Sequence, residues 1–237
     1  MPLSIAVVIP AYNEEASIAS VIDEIQRLTL TTNYRIQAVV INDNSTDRTA
    51  EILAKLPCVA IHLPTNLGIG GAVQTGLMFA KKYNYDFAIQ VDGDGQHPAE
   101  KIIELIHFSQ KQQYDVVIGS RYLLGKGFQS TRLRRFGIRY FSWIHKLITG
   151  QKITDSTSGF RLLNKKAILA ISEIYPDEYP EPEALIIYYK LKLRVGELPV
   201  EMRSRQGGKS SISTFASVYY LLKVTLAVIF TSCRKIA

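Results

Sequence analysis

Apolar and polar positions alternate along the first half of the chain in a way that predicts strand after helix after strand. The runs 4–10 (SIAVVIP), 35–41 (RIQAVVI), 58–63 (CVAIHL), 85–91 (YDFAIQV) and 115–120 (DVVIGS) are short, apolar and rich in β-branched residues, which predicts buried strands. Between them, Ile18, Val21, Ile22, Ile25 and Leu28 recur at helical spacing, and further helices are predicted over 47–56, 70–82 and 98–112, the last opened by Pro98. Such alternation predicts an α/β fold with a mostly parallel central sheet flanked by helices, and a ligand cleft beyond the carboxyl ends of the strands. After residue 120 the regularity decays. A basic aromatic segment, a short strand near SGFRLL, a Pro- and Glu-rich stretch, a helix, a strand around VGELPVEM and a final helix are expected.

The polar residues fall where such a cleft would be. PAYNEE, NDNSTD, TNLGIGG, DGDGQH and GSR each follow a predicted strand. In QVDGDGQHPAE, Asp92 and Asp94 point to the same side of an extended segment, so both carboxylates can reach one cation, and Gly93 and Gly95 let backbone approach a ligand. Hard oxygen donors suit Mg²⁺ or Mn²⁺. An EF-hand is excluded, because it needs Gly where His97 stands and Glu where Ile103 stands; an Asp-Gly turn capping the next helix is the plain structural alternative. The segment TNLGIGGAVQTG leads into a helix N-terminus, which favours anions, although it fits neither the Walker pattern nor the dinucleotide fingerprint. His97, His107 and His145 are arranged neither as ligands nor as bases.

Charge sharpens the picture. The net charge of +7 is uneven: 116–154 holds eight Lys or Arg and no acid, and 202–237 six more without an acid, while the remainder carries 14 bases against all 21 acids. Two basic patches on an acidic body predict anionic partners, or else solvated faces. Cys58 and Cys233, the two cysteines, predict reduced thiols and a cytoplasmic setting. No signal peptide is expected, and the apolar run 212–231 is interrupted by Lys223 and several Ser and Thr, which makes it a poor spanning helix.

Taken in order, VVIPAYNEEASI, INDNSTDRT, NLGIGGAVQTGL, VDGDGQHPAE, GSRYL and DSTSGFRLLNKKA resemble the family 2 glycosyltransferases of GT-A fold, and most of all the dolichol-phosphate mannosyltransferase and bacterial polyprenyl-phosphate glycosyltransferase branch. The resemblance covers roughly 4–211. It implies a GT-A glycosyltransferase domain over 1–211, followed by a C-terminal amphipathic, membrane-interfacial helix over 212–237. It implies that Pro10, Tyr12 and Glu14 line the base and ribose, that Asp43 reads the base with Asn42 replacing the usual first acid, and that Gly71 belongs to the nucleotide-sugar site. Asp92 and Asp94 are the implied metal pair, with Gln96 as third ligand and Asp94 essential to catalysis. Arg121 and Arg135 match arginines that contact phosphates, with Arg132 and Arg134 beside them. Arg205 stands in register with a mobile loop, R-x-x-G-x-S-K, whose final Lys is Ser211 here, with Lys209 as a substitute. Guanidinium groups suit phosphate because their planar fork makes two-point contacts.

The implied function is inverting, metal-dependent transfer of a sugar from a nucleotide sugar to polyprenyl phosphate, undecaprenyl in bacteria, giving a lipid-linked monosaccharide for cell-surface glycans. A UDP-sugar is favoured over GDP-mannose because the mobile loop departs from the mannosyltransferase form. A phosphate acceptor needs no deprotonation, whereas a hydroxyl acceptor does; Glu183 is the candidate base for that alternative. A non-catalytic basic module binding membrane or nucleic acid is the reading of another class, and nucleic acid is not an expected partner because such a module would leave the paired aspartates unexplained. Two segments are read as headgroup-layer helices, or as helices packed on the protein's own core: one with Leu133, Phe136, Tyr140, Phe141, Ile144 and Leu147 beside Arg134, Arg135, Arg139 and Lys146, the other with Phe215, Tyr219, Leu222, Leu226 and Ile229. A location at the inner face of the cell membrane follows, with a small membrane protein or a second copy of the chain as compatible partners.

Overall fold

The computed structural model describes residues 2–123, 132–178, 180–203 and 214–235, with no side-chain description for 132–136 and 214–220. Seven strands form one sheet in the order β3-β2-β1-β4-β6-β5-β7. They are β1 (Ser4–Ala11), β2 (Arg35–Asn42), β3 (Val59–His62), β4 (Phe87–Gln90), β5 (Val116–Ser120), β6 (Arg161–Asn164) and β7 (Val195–Pro199). The pairs β1·β2, β1·β4, β2·β3 and β5·β7 are parallel, and β6 alone runs against its neighbours β4 and β5. Six strands therefore end at one edge of the sheet, and the reversed β6 begins there. The helices are α1 (Ile18–Thr31), α2 (Thr49–Leu53), α3 (Gly68–Lys82), α4 (Lys101–Gln112), α5 (Arg132–Thr149), α6 (Lys165–Ile171), α7 (Pro180–Lys190) and α8 (Thr214–Cys233).

Side-chain alternation along β1 divides the core into two layers. Ile5, Val7 and Ile9 pack with Ile18, Ile22 and Ile25 of α1 and with Ile102, Leu105 and Ile106 of α4. Ala6 and Val8 pack on the other face against Ala72, Val73 and Leu77 of α3, and the same layer takes in α6 and α7. Each such buried Val, Leu or Ile side chain contributes about 1.5–3 kcal/mol relative to exposure. The sequence predicts the first helix over 14–30, and α1 instead starts at Ile18, the first residue of its apolar stripe. Asn13 takes φ 55°, and the turn that follows is closed by Ser17 donating to the Glu14 carboxylate and backbone. Helix α6 was not predicted. Seven residues are too few for a periodic signal, and its start is set by Asn164, whose side chain accepts from the Ala167 N–H.

Of the two segments read as headgroup-layer helices, the one on α5 is corrected in part, while Leu133, Arg134, Arg135, Phe136, Phe215 and Tyr219 lie outside the described side chains. On α5, Phe141 and Ile144 are buried and Tyr140 is partly buried in a small cluster with Ile186 of α7 and Val224 and Val228 of α8. Two other helices offer that face a protein surface, so it packs inward. Among the described side chains, Leu147 of the α5 stripe and Leu222, Leu226 and Ile229 of the α8 stripe are exposed, as are Trp143 and Phe230, which the sequence did not single out.

Candidate active site

Chain order along the sheet reverses between β1 and β4, and a crevice is expected outside the carboxyl ends of the strands at such a point. Pro10 and Ala11 end β1 there, and Asp92 follows β4. Gly93 sits against β1: a Cβ built on it would lie 3.3 Å from the Pro10 carbonyl oxygen and 3.3 Å from Glu14 Cγ. Pro10, Glu14 and the Asp92–Asp94 turn are thus brought together, while Tyr12 projects half-exposed beside them. The loops after β1 and β2 are stapled to one another. Asn13 Oδ1 accepts from the Thr46 N–H at 2.8 Å, the Ser45 hydroxyl accepts from the Asn13 N–H, and Thr49 Oγ1 accepts from the Glu14 N–H.

The Asp92–Gln96 turn is held from three sides. His97 Nδ1 accepts from the Asp92 N–H at 3.0 Å, which fixes the ring's proton on Nε2, 3.6 Å from Asp92 Oδ2; the ring stacks on Phe160. Gln90 donates to Asp92 Oδ1 at 3.0 Å, and Asp94 Oδ1 accepts from the Gln96 N–H at 3.0 Å. Gln96 is tied to the chain after β7: its carbonyl accepts from the Arg203 N–H and its Nε2 donates to the Arg203 carbonyl. Arg203 is itself clamped by Glu24 and Glu100. The Gln96 Oε1 is left as the acceptor of that amide.

Among the described residues no three His, Cys, Asp or Glu side chains form a ready-made metal cage. The set here is two carboxylates and a carboxamide, all hard oxygen donors, with the Asp92 side chain 36% exposed. That composition suits a hard cation such as Mg²⁺ or Mn²⁺, which would leave room for other oxygen ligands, and does not fit a closed structural site.

Asp43 is buried, and its two carboxylate oxygens accept from the Leu67 N–H at 2.7 Å and the Gly68 N–H at 2.9 Å. Its evident work is to hold the glycine-rich loop at the start of α3. Gly71 lies buried in the first turn of that helix, and Asn42 bonds His62 and the Ser45 N–H.

Arg121, just beyond β5, is gripped by Asp155. Its N–H and Nε donate to Asp155 Oδ2 at 3.0 and 2.7 Å, and one terminal nitrogen, Nη2, donates to Asp155 Oδ1 at 2.7 Å and to Thr157 at 3.0 Å. The Asp155 side chain is fully buried. Burial opposes the charge on Arg121, but the hydrogen bonds and charge of Asp155 outweigh it and raise the guanidinium above its ordinary range, with Asp92 adding to the effect. Nη1 is the terminal nitrogen left by Asp155 and Thr157. The same loop approaches the aspartate turn: a Cβ on Gly159 would fall 2.6 Å from Gln90 Nε2 and 3.4 Å from Asp92 Oδ1.

The structure occupies Glu183, the sequence's candidate base, elsewhere, and brings in Glu181 and Arg161, which the sequence did not single out. Glu183, two residues from Glu181 and so on the opposite side of α7, accepts from Thr231 of α8 at 2.5 Å and links two helices. Glu181 is instead electrostatically coupled to Asp92, Arg121 and Arg161. By surface area the residue is half-buried, yet its carboxyl is enclosed by protein atoms; that burial pushes it above the usual carboxylate range, with Asp92 reinforcing and both arginines opposing. Arg161 is buried at the start of β6 and donates to the Ser158 and Ser156 carbonyls at 2.8 and 2.9 Å. Asp155 had a sequence signal, being the acid that ends the basic run 116–154. Arg132 and Arg135 fall on α5 outside the described side chains, and Arg205 and Lys209 lie outside the described residues.

Comparison with known proteins follows the same lines. The profile of glycosyl transferase family 2 matches residues 6–171. A UDP-N-acetylglucosamine--dolichyl-phosphate N-acetylglucosaminyltransferase of Methanococcus voltae is 34% identical over 217 residues, covering 83% of this chain and 84% of its own. A dolichyl-phosphate hexose transferase of Haloferax volcanii is 30% identical, covering 90% of this chain and 88% of its own. Among solved structures, glucosyl-3-phosphoglycerate synthase of Mycobacterium tuberculosis in complex with Mn²⁺, UDP and glucosyl-3-phosphoglycerate has the same fold, with a TM-score of 0.75 at 18% identity over 99% of this chain and 82% of that one. With the aspartate turn at the chain reversal and a matching profile over more than half its length, the chain belongs to glycosyl transferase family 2.

Proposed function

We propose that this enzyme moves a sugar from a nucleotide diphosphate sugar to the phosphate of a polyprenyl lipid, with inversion at the anomeric carbon. The observation that carries the reading is the placement of Arg121, with one terminal nitrogen spare, beside the Asp92–Asp94 turn. One group suits a departing diphosphate held through a cation; the other suits an incoming phosphate. Asp92, Asp94 and Gln96 would hold Mg²⁺ or Mn²⁺, which offsets negative charge on the leaving diphosphate. Pro10, Tyr12, Glu14 and the Asp43-held loop with Gly71 would bound the nucleoside. Arg121 would orient the acceptor phosphate, with Arg135, Arg132, Arg205 and Lys209 on neighbouring segments. A phosphate oxygen is already anionic, so positioning replaces deprotonation. A UDP-sugar is the favoured donor, in keeping with the Methanococcus voltae relative's name.

The lipid acceptor places the enzyme at a membrane surface, its cytoplasmic face in this reading. Among the described residues no helix is long and apolar enough to cross a membrane. Leu222, Leu226, Ile229 and Phe230 of α8, with Trp143 and Leu147 of α5, would enter the headgroup layer, flanked by exposed Arg139, Lys146, Arg234 and Lys235.

One observation favours a second reading, transfer to a glycan hydroxyl: Glu181, with its raised carboxyl, is coupled to the site and could serve as base. Labelled UDP-sugar offered with either undecaprenyl phosphate or a hydroxyl acceptor separates the two. Product only on the phosphate, surviving Glu181→Gln and lost in Asp94→Asn, supports the first reading. Product only on the hydroxyl, lost in Glu181→Gln, replaces it.

A further inference from the structure

We infer that Glu197, on strand β7 and outside the cleft, is a positioning residue that sets the aim of Arg121. This rests on the reading of Arg121 as the group that meets the acceptor phosphate. Glu197 lies opposite Ile118 of β5, three residues before Arg121. Its carboxylate takes three donors, all from one turn: the Thr154 N–H at 2.8 Å on Oε2, and the Thr154 hydroxyl at 2.8 Å and the Asp155 N–H at 2.9 Å on Oε1. A half-buried strand carboxylate so occupied is not a solvated surface charge. The Thr154 hydroxyl also meets the Ser120 hydroxyl at 3.0 Å, which closes the loop back onto β5.

The next link is Asp155, whose side chain is spent on Arg121 through three hydrogen bonds. Glu197 therefore fixes the backbone of the residue that fixes the guanidinium. Ser158 donating to the Gly119 carbonyl at 2.7 Å and Arg161 bonding the Ser156 and Ser158 carbonyls hold the far side of the same loop. With the far side pinned, loss of the Glu197 bonds frees the 154–155 end, and the spare Nη1 of Arg121 loses its direction. The donor side of the cleft is held by other bonds, from Gln90, His97 and Arg203. Glu197 should then matter for the acceptor and not for the nucleotide.

The test uses the purified full chain and two binding measurements: undecaprenyl phosphate against undecaprenol in detergent, and UDP with Mn²⁺. Glu197→Gln replaces an acceptor oxygen by an amide that cannot accept from the same N–H. It should weaken undecaprenyl phosphate binding about tenfold, the worth of one hydrogen bond to a charged group, and leave UDP binding unchanged. Arg121→Met should weaken the phosphate to at least the same degree, and the double variant should be no worse than Arg121→Met alone. If Glu197→Gln does not fold, Thr154→Val, which removes one of the three bonds, should give a smaller loss in the same direction. A loss for Arg121→Met with none for Glu197→Gln overturns the positioning role alone. Additive losses overturn it too, since they make Glu197 independent of Arg121. Unchanged binding in Arg121→Met removes the phosphate reading itself, and the inference with it.

Discussion

Replacing Asp155 by alanine removes a carboxylate with no solvent-exposed side-chain surface from three donors of Arg121, whose side chain is 17% exposed. The guanidinium cannot recover its hydration in place, and breaking such a pair costs about 3–5 kcal/mol. For a chain of this size that lowers the melting temperature by about 6–20 °C. Urea unfolding followed by far-ultraviolet circular dichroism measures the cost, with an unchanged m-value showing that the unfolded ensemble has not moved. The pair is then taken apart together. Arg121→Met/Asp155→Ala leaves no uncompensated charge and should regain about 2 kcal/mol or more over Asp155→Ala alone. A cost for Asp155→Ala under about 1 kcal/mol, or a double variant less stable than either single one, refutes the view of Arg121 as a buried cation held by one carboxylate.

Other consequences are open to direct measurement. His145 is buried on α5, and burial, with Arg161 adding to it, lowers its pKa from 6.5 to about 4. The unfolded chain therefore binds a proton that the folded chain refuses between those values, so stability falls by about 3 kcal/mol as pH drops from 6.5 through 4; His145→Phe should flatten that part of a urea-midpoint profile, and an unchanged slope excludes the assignment. Gly159→Ala forces Gln90 off Asp92 and should cost no more than about 1–3 kcal/mol of stability while weakening Mn²⁺-dependent UDP binding at least tenfold; equal binding by calorimetry would show that this contact does not orient Asp92. Leu226→Glu/Phe230→Glu alters two exposed side chains, 53% and 69%, and should move stability within about 0.5 kcal/mol per site. Loss of co-sedimentation with anionic phospholipid vesicles is the expected result, and undiminished sedimentation counts against the α8 surface.

The parts of the fold legible in the sequence are those written in contiguous patterns. Strand β1 is apolar without a break from Ile5 to Ala11 and β2 from Ala38 to Ile41, and the Asp92–Asp94 turn stands directly after a third mostly apolar run. The reversal of β6 is not written locally: Arg161–Asn164 has four residues, and its direction follows from a path that returns the chain to the cleft edge. The apolar face of α5 reads equally well as a lipid or a protein surface until Ile186 and Val224 are placed against it. Within the site, Asp92, Asp94 and Gln96 fall together because they are neighbours in sequence. The Arg121–Asp155 pair spans 34 residues and is fixed by tertiary contact alone. Glu181 and Glu183 cannot be distinguished by composition, and their opposite positions on α7 decide which one feels the charges of Arg161, Asp92 and Arg121 and which bonds Thr231.

Transfer of a radiolabelled sugar from UDP-N-acetylglucosamine or UDP-glucose to undecaprenyl phosphate, with and without Mg²⁺ or Mn²⁺, tests the account most directly. The expected result is a lipid-phosphate-linked monosaccharide that disappears on chelation and in Asp94→Asn, while the variant keeps its circular dichroism spectrum. Product formed at full rate in the presence of chelator, or by Asp94→Asn, would contradict it.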